Sequence, residues 1–414
     1  MRKVIVIGGG AAGLMAAYCA AQNGAEVTVL EKKSAIGRKL LITGKGRCNI
    51  TNVADTKTII KNIPGNGAFL YSVLSSFDNE DVVNFMREYG VETKVERGGR
   101  VFPISDKAQD VVSAFEKALV RHGVKVYTDS PVRKIRVENN EVVGVSFGQN
   151  NEMLADAVIL ATGGASYPGT GSSGDGYRIA KDIGHNIVAL KPSLVPLEVD
   201  EEWIGDLQGL SLRNVTASVV SDGKKVAEEF GEMLFTHYGL SGPIILSLSK
   251  KVAELLDDHQ ETFIEINLKP ALSAEVLDKR IQRDLDKYSR KQLKNALDDL
   301  LPSKLIETVI DLAFLDGDKP VNQITKEERM RIAHVLTHMT FTIKGTRPIS
   351  EAIVTAGGVS VKEINPKTME SKLIKNLFFA GEVIDIDGYT GGYNLQAAFS
   401  TGYAAGTYAA AIPD

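Results

Sequence analysis

"KVIVIGGGAAGLMAAYCAAQNGAEVTVLE" occupies residues 3–31, and its reading decides the fold. Lys3–Ile7 is a short apolar run, as expected of a strand buried on both faces of a parallel sheet. It runs into Gly8-Gly9-Gly10-Ala11-Ala12-Gly13 and then an alanine-rich helix that ends near Asn23-Gly24. Residues 27–30 form the next strand, with Glu31 at its end, 18 residues beyond Gly13. That order, with an acid about 20 residues past the last glycine, is the dinucleotide-binding βαβ unit. Gly8 permits the tight turn, Gly10 lets backbone approach a pyrophosphate, and Gly13 lets helix and strand pack closely. The helix N-terminus offers free N–H groups to phosphates, and Glu31 accepts hydrogen bonds from ribose hydroxyls. The motif alone does not tell FAD from NAD.

At 414 residues the chain is long enough for two or three domains with sizeable cores. Its hydrophobic content of 43% and charged content of 24% are those of an ordinary soluble protein. The formal net charge of -4 gives the whole chain no attraction for nucleic acid or anionic membrane, so neither DNA nor a membrane is expected as a partner. Two cysteines, Cys19 and Cys48, exclude a disulfide framework and fit a reducing cytoplasm. The basic, apolar start imitates a signal peptide, but three consecutive glycines interrupt it, and no uncharged run of about 18 apolar residues follows. A cytoplasmic location is expected.

Three further segments bear on the ligand. "LEKKSAIGRKLLITGKGRCNITN" (30–52) sets Lys39, Lys45 and Arg47 among glycines and small residues, a composition suited to wrapping a phosphate-bearing ligand. "ADAVILATGGASYPG" (155–169) is an apolar strand running into a glycine turn. Residues 377–406 are another strand, a glycine-rich turn and an alanine-rich helix. Together with "LATGGASYPGTGSSGDGYRIAKDIGH", "GEMLFTHYGLSGP", "TAGGVSVKEI" and "FFAGEVIDIDGYTGGYNLQAAFSTG", these strings spread over essentially the whole chain. The set resembles the BaiN/RdsA, or aminoacetone-oxidase-like, family of bacterial FAD-binding flavoproteins, within the glutathione-reductase-like and fumarate-reductase-like superfamily.

The resemblance implies FAD. By it, Gly8, Gly10, Ala11, Ala12 and Gly13 hold the pyrophosphate, and Glu31 with Lys32 the adenosine ribose. Arg38, Lys39, Gly46, Arg47 and Cys48 line the path towards the flavin, and the Val132 backbone touches adenine. Thr162 and Gly163 cross near the adenosine half, and Gly381 and Glu382 meet the ribitol, although many superfamily members place Asp where Glu382 stands. Gly392, Tyr393, Asn394 and Leu395 open a helix beneath the isoalloxazine, where an N-terminus stabilises the negative charge of reduced flavin.

Gly169-Thr170-Gly171-Ser172-Ser173-Gly174 repeats the G-x-G-x-x-G pattern. It does not follow a strand directly, and no acid closes a strand about 20 residues later. One dinucleotide fold is expected, with 169–174 as a flexible turn before a helix at 177–183. Any NAD(P)H donor then docks transiently, without a domain of its own.

The fold class read from these patterns is α/β: a discontinuous Rossmann-like FAD-binding domain with an inserted β-rich, barrel-like domain that carries a helical sub-insert. The expected pieces are 1–190 and 350–414 for the FAD domain, 191–272 for the β-rich insert, 273–339 for the helices and 340–349 for a return strand. Helices are expected over 273–288, 290–300, 303–315 and 326–339, with capping boxes at Ser289/Gln292 and Thr325/Glu328. Val276, Leu277, Ile281 and Leu285 should face the core, leaving Arg280, Arg283 and Lys287 outward, with Arg290 and Lys291 in the following turn. That surface is either a solvated face or a dock for structured RNA.

Beyond the cofactor, His237 precedes an N-cap Ser241 and a first-turn Pro243, and either polarises a substrate carbonyl or is a structural histidine in a turn. Tyr389 and Tyr393 flank the glycine turn nearest the flavin and either meet substrate or pack. His334 and His338 lack a third ligand in view, so no metal is expected. Three functions compete: an FAD-dependent reductase of a C=C bond conjugated to a carbonyl, in a small molecule or a uracil base of RNA; an oxidase of a small amine such as aminoacetone; and a flavin-containing RNA-binding factor. The first is preferred, because one mechanism covers the unsaturated steroid-like acids and ribosomal uracils that the family has been linked to.

Overall fold

The computed structural model describes residues 1–411, which form two compact units: Met1–Ser193 with the chain from Ile349 onward, and Leu194–Pro348. The first is built on a five-stranded parallel sheet of Leu377–Phe379, Ala157–Leu160, Lys3–Ile7, Glu26–Leu30 and Lys125–Tyr127, in that spatial order. Apolar runs such as Val4 to Ile7 and Ala157 to Leu160 are buried because the sheet is covered on both faces. The first helix, Ala11–Gln22, starts at Gly10 and ends at Asn23.

The last helix, Tyr393–Ala410, lies against the first. Their contact is made by backbone: a Cβ on Gly402 would come within 2.4 Å of the Ala12 carbonyl oxygen, and one on Gly406 within 2.2 Å of that of Ala16. The matching registers make the helices parallel. Tyr393 therefore stands about eight residues, or about 12 Å, beyond the start of the first helix at the same end.

In the second unit, Leu197–Val199, Gly239–Ser241, Lys224–Thr236, Ser211–Ser221, Thr262–Asn267 and Met339–Thr346 close into a barrel in that order. The helix Pro243–Asp257 packs on it. Its N-cap is Gly242 rather than Ser241, which belongs to a barrel strand; a Cβ on Gly242 would sit 2.7 Å from the Met233 Cα.

The chain departs from the expected layout in three places. Ala274–Lys287, Ser303–Leu312 and Lys326–Thr337 are helices, the last with the Thr325/Glu328 capping box formed. Residues 290–300 are not one helix: Gln292 is extended and only the short 3₁₀ turn Leu293–Asn295 follows, so the Ser289/Gln292 box does not form. The backbone N–H groups of Leu293 and Lys294 donate instead to the carbonyls of Lys319 and Gly317, and Leu293, Ala296, Leu297, Leu300 and Leu301 are all buried. Tertiary hydrogen bonds and burial override the local signal. Val276 is 51% exposed, while Leu277, Ile281 and Leu285 carry the buried stripe. Strand Ile187–Ser193 crosses the expected 190/191 boundary, because it pairs with Val354–Val359 of the first unit.

Gly406→Ala puts a methyl where the Ala16 carbonyl stands, so it should lower stability to urea by about 1–3 kcal/mol. In an uncrowded helix interior the same change would stabilise by roughly 0.5–1 kcal/mol, so the sign of the shift decides.

Candidate functional site

The turn after Lys3–Ile7 is shaped by three glycines with different reasons. Gly8 has φ +106°, and a Cβ on it would lie 2.5 Å from the Ala161 carbonyl oxygen. A Cβ on Gly13 would lie 1.9 Å from the Gly8 oxygen, which is how the first helix starts flush against the strand end. Gly10 faces open space. Because the N-cap Gly10 has no side chain, the first-turn N–H groups of the helix are left for a ligand.

A cavity of about 1500 Å³, its open mouth included, runs from this turn. Its lining runs from this turn to the first turn of the last helix, an elongated shape that suits an extended ligand. Every residue lining it belongs to the first unit. At one end stand Glu31, Lys32, Pro131 and Val132 with Thr170, Gly171, Ser172 and Asp175. Glu31 is 9% exposed; its Oε2 accepts from Gly9 N at 2.7 Å and its Oε1 from Lys33 N at 2.8 Å. The second glycine fingerprint folds over this end: Gly171, at φ +119°, passes beside Glu31, Lys32 and Lys33. Lys32 Nζ pairs with Asp175 Oδ2 at 2.7 Å. Burial draws the Asp175 carboxyl upward, but bonds from Lys32 and Ser173 outweigh it and hold the group below its usual range.

Midway, Lys39 Nζ donates to Glu382 Oε2 and Ser166 Oγ, both at 2.7 Å. Glu382 Oε1 accepts from Thr355 N at 2.8 Å. A Cβ on Gly164 would fall 2.9 Å from the Glu382 carboxyl carbon, so a glycine there admits the carboxylate. Thr162 and Gly163 line the wall, and the buried Thr162 Oγ1 has no hydrogen-bond partner among the described residues.

At the other end are Ile63, Ile353, Val354, Ile386, Asp387, Gly388, Asn394 and Leu395. Asn394 ties this end together: its Oδ1 accepts from Gly388 N at 2.8 Å and its Nδ2 donates to Gly388 O at 2.7 Å. A Cβ on Gly392, the N-cap of the last helix, would meet the Thr51 carbonyl oxygen at 2.4 Å.

Of the residues singled out from sequence, Gly8, Gly10, Ala11, Ala12, Glu31, Lys32, Arg38, Lys39, Val132, Thr162, Gly163, Gly381, Glu382, Asn394 and Leu395 line the cavity. Gly13, Gly46, Arg47, Cys48, Gly392, Tyr389 and Tyr393 are not among the lining residues. Arg47 is drawn off by Glu96 at 2.8 Å and lies over the Phe102 ring at 4.1 Å. Cys48 is fully buried, and burial pushes its thiol up to about 11. Tyr393 is 9% exposed within the core, where burial raises its hydroxyl. His237 is exposed in the turn between two barrel strands of the second unit, its ring edge-on to Tyr238. His334 and His338 stack on each other, and no group of three or more metal-ligating side chains occurs among the described residues. Sequence reasoning missed Ser166, Thr355 and Asp387. All three lie in stretches it quoted, but no spacing rule sets them apart from their neighbours.

The chain matches the family model described as "HI0933-like protein Rossmann domain" over residues 2–408. It is 34% identical to the 3-dehydro-bile acid delta(4,6)-reductase of Clostridium scindens, with 100% of both chains covered. It is also 34% identical to the ribosomal RNA dihydrouridine synthase of Haemophilus influenzae, over 97% of this chain and 96% of that one. The 3-ketosteroid-delta4-(5alpha)-dehydrogenase of Rhodococcus jostii RHA1 shares the fold, with a TM-score of 0.55 at 15% identity over 99% of this chain and 97% of that one. The βαβ turn, the parallel sheet and a family match along nearly the whole chain agree: this protein belongs to the HI0933-like family of Rossmann-domain proteins.

Proposed function

We propose that this protein is an FAD-dependent reductase of a carbon–carbon double bond conjugated to a carbonyl in a small molecule. The observation that carries the reading is that two full-length relatives, a bile acid delta(4,6)-reductase and a dihydrouridine synthase, are named for one kind of reaction, saturation of such a bond. The cavity suits the cofactor. Its long axis links two helix N-termini about 12 Å apart along the helix direction, with a ribose-binding acid at one end.

When bound and reduced by an external donor such as NAD(P)H, FAD would supply hydride to the electron-poor carbon of the substrate. The protein's part is binding, orientation and field. First-turn N–H groups at Gly10, Ala11 and Ala12 bind the pyrophosphate, and Glu31 accepts from the adenosine ribose while bracing Gly9. Lys39 and Glu382, already paired and neutral together, present oxygens and an ammonium to the polyol. The N-terminus of the last helix stabilises negative charge at the ring end. Ile63, Ile353, Val354 and Ile386 keep that end apolar.

A small molecule is favoured over RNA by charge. Residues 194–348 hold 20 Lys and Arg against 26 Asp and Glu, a net charge of −6. Two of the cations expected to meet phosphates are engaged at home, Arg280 with Asp284 and Lys287 with Asp299, each at 2.6 Å, and Lys291 lies over the Tyr288 ring at 4.3 Å. Phosphate contacts from Lys and Arg supply most non-specific affinity for nucleic acid. No helix among the described residues is long and apolar enough to cross a membrane, and two buried free cysteines suit the reducing cytoplasm proposed as its location.

The purified protein should be yellow and bind FAD. Glu31→Ala loses both the ribose contact and the brace on Gly9, and should weaken FAD by roughly 1–3 kcal/mol, about 5- to 150-fold. Equal affinity in a fluorescence titration would remove Glu31 from the site.

Anaerobic NADH or NADPH should bleach the flavin, and added enone should restore its colour. Bleaching by aminoacetone, with peroxide on aeration, would support an amine oxidase instead.

A further inference from the structure

Residues 168–173 take part in no sheet, and their backbone is tied to little else. Thr170 N donates to Tyr167 O, Gly171 N to Pro168 O and Ser173 N to Gly171 O. Among the described residues, every backbone hydrogen bond of the segment therefore stays within 167–173. The neck is fixed on either side: Tyr167 N donates to Ser350 O at 3.2 Å, and Gly174 N to Gly164 O at 3.1 Å. Between those two points the segment lies on the cavity. Thr170, Gly171 and Ser172 line it, and a Cβ on Gly171 would come within 3.5 Å of the Lys33 side chain and 3.7 Å of Glu31 Oε1. A clasp of three side chains holds it there. Lys32 Nζ donates to Ser173 Oγ and, at 2.7 Å, to Asp175 Oδ2, while Ser173 Oγ donates to the same carboxylate oxygen at 2.9 Å.

We infer that residues 168–174 are a strap over the adenosine end of the cavity, and that the clasp of Lys32, Ser173 and Asp175 governs how fast the dinucleotide enters and leaves. The inference rests on the reading of the cavity as an FAD site. A ribose held by Glu31 lies beneath Gly171 and Ser172, and it clears the site when the strap lifts. The backbone of the strap suits such a movement. Tyr167, at φ +52°, and Gly174, at φ +81°, stand at its ends, and Gly171, at φ +119°, lies in its middle. Large backbone rotations at a few such positions swing a loop without disturbing the elements that carry it. The clasp is also weak enough to open: the Lys32 and Asp175 side chains are 23% and 47% exposed, and pairs so exposed hold by a small margin. All three of its members are protein groups, so it acts on entry and exit alike. The clasp thus sets a rate and leaves the affinity to the residues beneath.

The test is the exchange of bound FAD for an excess of radiolabelled FAD, followed on the holoenzyme, with affinity measured separately by fluorescence titration. Ser173→Ala takes the middle out of the clasp at a residue outside the cavity lining. Exchange should quicken about 3- to 10-fold, the worth of one or two such hydrogen bonds, while affinity changes by less than about twofold. Gly169→Ala acts in the opposite direction. Its φ is not left-handed and a Cβ there would meet nothing within 4 Å, so alanine fits the strap as it stands and restricts the lifted form. Exchange should slow about 2- to 5-fold. A rate that stays unchanged in Ser173→Ala, or that quickens in Gly169→Ala as well, overturns the inference. A loss of affinity in Ser173→Ala that matches its faster exchange overturns it too, because the segment is then part of the binding surface and not a gate over it. Wild-type protein that binds no FAD overturns the cofactor reading instead.

Discussion

The contact between the first and last helices is the constraint on which the rest depends. Gly402 and Gly406 bring backbone to backbone against Ala12 and Ala16, so the two helices lie side by side, parallel and in one register. A side chain at either glycine would push them apart. Their register brings both N-termini to the same end of the unit and sets one about 12 Å beyond the other. The cavity is the space between those two points, floored by the strand ends that carry Gly8, Ala161 and Gly381. The site is thereby held together by residues far apart in sequence, Ala12 and Ala16 against Gly402 and Gly406.

Around that frame the charges are arranged in pairs with short, specific bonds. Lys32 with Asp175 and Lys39 with Glu382 cross the cavity wall between segments distant in sequence, and Glu31 braces a glycine turn with a side chain. Pairs of this exposure contribute little to stability by themselves; their importance lies in fixing where oxygens and ammonium groups point. The second glycine fingerprint finds its explanation here. Gly171 and Gly174 have positive φ, and Gly176 leaves room for the Thr162 hydroxyl that a Cβ would strike at 1.9 Å. The stretch is a fold-over of the first glycine turn and forms no strand of its own.

Much of this was legible in sequence where local signals act alone. Lys3–Ile7 and Ala11–Gln22 follow from an apolar run, a glycine turn and an alanine-rich helix, and the Thr325/Glu328 box marks a helix start correctly. Reading failed where distant contacts decide. The stretch after Ser289 has a helix-start pattern, yet hydrogen bonds to 317–319 and five buried side chains bend it into turns. Arg47 sits in a glycine-rich, phosphate-friendly stretch, yet Glu96 and Phe102 take it away from the cavity. Asp385 and Asp387 are alternate residues of "IDIDG", and only the fold tells which one lines the site.

The central claim, that the protein saturates a conjugated double bond, is tested most directly by a single turnover without oxygen. Flavin reduced with one equivalent of NADPH is mixed with a 4-ene-3-oxo steroid, and the product is weighed by mass spectrometry as the flavin absorbance is followed. The account predicts that colour returns in step with a product heavier by two hydrogens. Flavin that stays bleached with the steroid unchanged, and recolours only on admission of oxygen with release of peroxide, would contradict it.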